Sequence, residues 1–136
     1  MKDIVKAYPN DVRVAIKQYP LPFHKQAMPA AKAALAAQRQ GKFWEMTDVM
    51  YKNYRALTDD KLKEYAKQIG LNVSKFEKDF RDPSVATELK QHMDEARRIG
   101  VRGTPSFYFN GRVMKPEGRS IAGLKKMVEE ELKKKG

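Results

Sequence analysis

The groups in this chain whose types and spacing could do chemistry are few. His24 and His92 are its only histidines. They stand far apart in sequence, so a paired metal site is not supported and each reads as a surface or supporting group. Asp59-Asp60 lies where a helix should start, and acids there complement the helix dipole. Glu129-Glu130-Glu131 reads as a solvated helix face. Gly100, Gly103 and Gly111 do not build a phosphate loop, because no glycine-rich turn among them opens a helix. There is no cysteine, which excludes a thiolate nucleophile, a disulfide and any thiolate-held metal. Neither a cofactor nor a metal is expected, and no catalytic residue is assigned.

Two stretches carry more. Phe43, Trp44, Met46, Met50, Tyr51 and Tyr54 recur at helical spacing; they could line a ligand groove, but such a stripe more often packs a core. The second stretch runs from Arg98 to Val113. A helix ends at Gly100, where glycine takes the left-handed cap. Thr104-Pro105 stands at the entrance of a strand, Ser106 to Phe109, where a missing N–H is tolerated. Asn110-Gly111 then signals a type I′ hairpin turn into a returning strand, Arg112 to Lys115. Taken alone, these residues favour a structural turn with a strand-entry proline.

Length and charge set the frame for these groups. A chain of 136 residues is one domain, residues 1–136, with enough apolar content (41%) to bury a core. Its net charge of +11 admits nucleic acid, an anionic surface or acidic proteins as partners. The lysines fall on polar helix faces opposite the aromatics, and the one basic block, Lys133-Lys134-Lys135, complements a helix C-terminus. That pattern argues against nucleic acid. No run reaches the length of a membrane span, and Met1-Lys2-Asp3-Ile4 does not open a signal peptide, so the chain alone gives no address.

The elements follow from periodicity. Asp3 to Tyr8 reads as the frayed tail of a helix, broken at Pro9-Asn10. Val12, Val14 and Ile16 alternate with Arg13, Ala15 and Lys17, the period of a half-buried strand. An alanine-rich helix runs from Pro29 to about Arg39, with a possible earlier turn at His24 to Met28, and a second carries the aromatic stripe. A third, capped by Thr58, has Leu62, Tyr65, Ala66 and Ile69 inward and stops at Gly70. Asn72 opens a short helix with Val73, Phe76 and Phe80. Asp82-Pro83 opens one with Val85, Leu89, Met93 and Ala96. Ser120 caps the last, with Ile121, Leu124, Val128 and Leu132 inward.

The stretch Gly100-Val101-Arg102-Gly103-Thr104-Pro105-Ser106-Phe107, followed by Asn110-Gly111, resembles the cis-proline loop of thioredoxin-fold proteins of the DsbA-like kind. Tyr19-Pro20-Leu21-Pro22-Phe23-His24, the alanine run after it, and Gln40-Gly41-Lys42-Phe43-Trp44-Glu45-Met46 continue that resemblance in the same order. It implies an α/β thioredoxin fold with a helical insertion, about 24–99, and an extracytoplasmic or periplasmic setting. It also implies thiol–disulfide exchange with protein substrates. In that family a Cys-X-X-Cys motif at a helix N-terminus supplies the thiolate, and the loop facing it holds an extended substrate segment. Here the matching loop residues are Arg102, Gly103, Thr104 and Pro105, with Thr104–Pro105 expected to be cis.

On the same resemblance, Met1 falls inside the motif-bearing helix, so the N-terminal βα unit is missing and the sheet is incomplete. The chain is then expected to be inactive in thiol chemistry. A non-catalytic peptide-binding or assembly module and an anionic-surface or nucleic-acid binder remain as alternatives. In the thioredoxin arrangement the missing strand lies between Val12–Ile16 and Ser106–Phe109, which would stand ~9–10 Å apart around an empty slot. Open strand edges recruit strands from other chains, so a homo-oligomer, in the simplest case a two-fold dimer, is expected.

Overall fold

The computed structural model describes all of residues 1–136. The elements in order are α1 (Lys2–Ala7), α2 (Ala27–Gln38), α3 (Phe43–Lys52), α4 (Asp59–Gln68), α5 (Val73–Arg81) and α6 (Pro83–Arg98). They continue with β1 (Tyr108–Phe109), β2 (Arg112–Val113), a 3-10 turn (Pro116–Arg119) and α7 (Ile121–Lys135). Two compact units result, one made of Met1–Ile16 with Gly103–Gly136, the other of Lys17–Arg102.

The Lys17–Arg102 unit holds the five helices α2 to α6 and no strand. Ala33, Ala34, Ala36 and Ala37 of α2 pack with Met46, Val49 and Met50 of α3, Leu62, Tyr65 and Ala66 of α4, and Phe76 of α5. Alanine is what lets one helix lie close to so many neighbours. Its other side, Ala31 and Leu35, packs with Val85 and Leu89 of α6. Caps fall where the sequence puts them. Lys61 N donates to Thr58 Oγ1, Lys75 N to Asn72 Oδ1 and Ser84 N to Asp82 Oδ1. Gly70 and Gly100 end α4 and α6 with positive φ. One carboxylate is buried here: Asp79 accepts from Lys75 Nζ at 2.6 Å and from Arg39 Nη1 at 3.4 Å. The Lys75 hydrogen bond, aided by the charges of Lys75 and Arg39, holds that carboxyl below the usual aspartate range against the opposing effect of burial.

The second unit is built on Ile4, Met114, Leu124 and Val128. The two-residue turn Asn110-Gly111 has φ of 45° and 77°, as a type I′ hairpin requires. It pairs Tyr108 with Val113 and Phe109 with Arg112 in antiparallel register. Met114 N donates to Phe107 O at 2.8 Å, carrying the pairing one step further. Ser120 caps α7 through Gly123 N. Gly123 also lies against the 3-10 turn so closely that a Cβ there would meet Glu117 O at 2.6 Å.

Four expectations are corrected. The Val12–Ile16 strand does not form a ladder: the only sheet is the β1–β2 pair. Val12 and Val14 nevertheless pack on the unit's core while Arg13 and Ala15 are exposed, so the alternation governs burial without a partner to hydrogen-bond. The Asp3–Tyr8 segment is not frayed; α1 buries Ile4 to 1% exposure, because α7 supplies an apolar face for it to lie on. Ile121 is exposed and not inward, at the first turn of α7. Of the aromatic stripe, Met46 and Met50 are core, whereas Tyr51 and Tyr54 are exposed, Tyr54 lying beyond the end of α3.

Candidate functional site

The loop Arg102–Ser106 is where the chain leaves α6 and turns toward the hairpin. Val101 N still caps the helix by donating to Ala96 O at 2.9 Å. The chain then bends at Gly103–Pro105. The Thr104–Pro105 peptide bond is cis. Arg102, Thr104, Pro105 and Ser106 are exposed and Gly103 is half-buried. Ser106 Oγ donates to Gly103 O at 2.7 Å, closing the bend on itself. No hydrogen bond within the chain uses the Thr104 N–H or C=O. An exposed backbone with an unused donor and acceptor can take up an extended peptide segment by main-chain pairing.

The sequence placed all four candidate residues, Arg102, Gly103, Thr104 and Pro105, in this one loop, where Arg102, Thr104 and Pro105 are open to solvent and Gly103 is half-buried. What it did not reveal is how the strand after the loop is braced. The Arg119 guanidinium lies 5.5 Å from the centre of the Phe107 ring and Arg119 Nη2 donates to Met114 O at 3.3 Å. One side chain thus clamps both arms of the hairpin. Arg119 ends a one-turn 3-10 segment, and nothing in Pro116-Glu117-Gly118-Arg119 announces that reach.

The two histidines do different things. His24 is exposed, its ring tilted against Phe23 at 4.6 Å. His92 is buried in α6 and accepts from Gln18 N through Nδ1 at 3.2 Å, so it is an internal acceptor and not a surface group. Burial and then the Lys17 charge lower its pKa, opposed by Glu88 and Glu95. No cluster of three or more histidines and acids offers a metal site. Every buried side-chain nitrogen and oxygen has a hydrogen-bond partner. No helix is long and apolar enough to cross a membrane.

Comparison with known proteins agrees with the fold. In the solved structure of a thioredoxin-like oxidoreductase from Silicibacter pomeroyi DSS-3, a similar arrangement covers 97% of this chain and 75% of that one, with a TM-score of 0.74 and 26% identity. A probable disulfide bond formation protein D of Bacillus anthracis is 30% identical over 112 residues, 77% of this chain and 50% of that protein. The Na(+)/H(+) antiporter NhaA of Herminiimonas arsenicoxydans is 32% identical over 110 residues, 81% of this chain but 17% of the antiporter. The chain therefore spans about half the length of one relative and about a sixth of the other. Residues 1–129 match the model of the DSBA-like thioredoxin domain, and the chain belongs to that family.

Proposed function

We propose that these residues form the polypeptide-holding part of a DsbA-like thiol–disulfide oxidoreductase domain and do not themselves exchange disulfides. The observation that carries this reading is the exposed Gly103–Pro105 bend, whose Thr104 N–H and C=O are unused within the chain. Pairing with the Thr104 backbone would fix an extended segment without reading its sequence, which suits a domain that handles many protein substrates. Arg102 beside it favours acidic segments through its charge.

The exchange itself needs a thiolate that attacks one sulfur of a disulfide, forms a mixed disulfide and expels the other sulfur as a thiolate. None of the 136 residues is cysteine, and no other side chain supplies both the nucleophile and the reversible S–S bond. The antiporter name carried by several relatives is not carried over to this chain, since the matched portion is less than a fifth of each of those proteins.

The test is a two-dimensional amide NMR titration with an unstructured, cysteine-free acidic peptide, run beside an insulin-reduction assay. The expected result is chemical-shift change at Arg102, Gly103 and Thr104 with none along α4 (Asp59–Gln68), and insulin turnover no faster than buffer. Peptide-induced shifts confined to other surfaces would overturn the holding role. Turnover above buffer in a sample free of other oxidoreductases would overturn the absence of exchange.

A further inference from the structure

We infer that Arg119 is a positioning residue for the Arg102–Ser106 loop, fixing through Phe107 the backbone that holds a polypeptide segment. The inference rests on the holding role proposed above. The first observation is how the loop passes into the strand. Ser106 Oγ donates to Gly103 O at 2.7 Å, so Ser106 moves with the bend. Phe107 follows directly. Its carbonyl accepts from Met114 N at 2.8 Å, and the residue packs against the core of Ile4, Met114, Leu124 and Val128. Phe107 is therefore the fixed point from which the Thr104 backbone is displayed.

The second observation is what holds Phe107. The Arg119 guanidinium lies over its ring, 5.5 Å from the centre. Arg119 Nη2 also donates to the carbonyl of Met114, the residue whose N–H reaches Phe107 O. Both contacts fall on the hairpin and not on the loop, so Arg119 acts on the loop by placing its neighbour. The base of Arg119 is fixed in turn. It ends the 3-10 turn Pro116–Arg119, which is seated closely on α7. A Cβ on Gly123 would meet Glu117 O at 2.6 Å, and one on Gly118 would meet Met127 Sδ at 3.1 Å. So close an approach leaves the turn little room to shift. Position therefore passes from α7 through the turn and Arg119 to Phe107, and from there to Thr104. The expected size follows from the contact. A cation over an exposed ring shifts a two-state equilibrium by roughly two- to fivefold, and apparent affinity falls with the fraction of chains whose loop is correctly placed.

The experiment compares the wild-type chain with Arg119→Met and Arg119→Lys by amide NMR, with thermal unfolding to show that each variant is folded. Two cysteine-free, unstructured peptides of equal length serve as probes, one acidic and one uncharged. Arg119→Met should move the Ser106 and Phe107 amide signals before any peptide is added. It should then weaken both peptides alike, by roughly two- to fivefold. Arg119→Lys, which returns a cation to the ring, should recover most of that loss. A loss confined to the acidic peptide would overturn the inference, because it would make Arg119 a direct charge contact. So would a lysine variant no better than the methionine one. Unchanged affinity in Arg119→Met, with the wild type still binding at Gly103 and Thr104, would overturn this inference and leave the holding role standing. A wild-type chain that binds neither peptide at the loop would overturn both.

Discussion

Two stretches of this chain have strand composition, and only one is a strand. Tyr108–Phe109 pairs with Arg112–Val113; Val12–Ile16 pairs with nothing in the chain. Their apolar residues rest on the same core, Val12 and Val14 on one side and Phe107 and Phe109 on the other. Burial therefore does not separate them. The hairpin carries its partner two residues away, behind a turn whose Asn110 and Gly111 take positive φ, so closing it costs little chain entropy. The first segment has no such neighbour: Pro9 breaks the chain before it and Pro20 and Pro22 hold its exit extended. Alternation decides which side chains go inward; a ladder also needs a second backbone.

The largest perturbation of this comparison is the shared core. Ile4→Ala, at a fully buried position, should cost about 2–5 kcal/mol, read as a lower urea midpoint with unchanged slope. It should loosen the Val12–Val14 segment more than the hairpin, which keeps its ladder. Gly123→Ala comes next. A Cβ there would press on Glu117 O and the Gly118 backbone, displacing the 3-10 turn that carries Arg119, at about 1–3 kcal/mol. The expected local sign is faster amide exchange at Met114 and in the hairpin.

Gly111→Ala acts on the hairpin alone. With φ of 77°, any side chain strains the turn, and a loss of about 1 kcal/mol is expected. Thermal unfolding measures it, while exchange at Gln18 should be unaffected. The smallest effect lies at the exit of the other segment. His92 Nδ1 accepts from Gln18 N and must be neutral to do so. Its pKa is lowered in the folded chain, so the folded state binds fewer protons than the unfolded one. The associated stability is present above the unfolded value of about 6.5 and is lost as pH falls through the folded value. Acidification should therefore speed exchange at the Gln18 amide, and His92→Phe should remove that pH dependence.

Much of this was legible in the sequence because its causes are local. Thr58, Asn72, Asp82 and Ser120 each cap a helix from one residue's side chain, and Gly70, Gly100 and Gly111 mark positive φ. The Arg102–Pro105 loop stood out by motif and lies open in the fold. What could not be read depends on distant surfaces. Ile4 is core only because α7 lies over α1, and Tyr51 is exposed because α3 turns a single face to the alanines of α2. The Arg119 clamp on Phe107 joins residues that no periodicity links. Val12–Ile16 misled for the opposite reason: its local pattern is that of a strand, and the missing partner is not a local property.

Residue-resolved hydrogen exchange at low protein concentration tests this difference most directly. At low concentration the Met114 amide, donated to Phe107 O, should be protected, and the amides of Arg13, Val14, Ala15 and Ile16 should exchange at nearly unstructured rates. Protection of Val14 or Ile16 in the dilute monomer would contradict the account, because it would show that the segment already has a backbone partner within one chain.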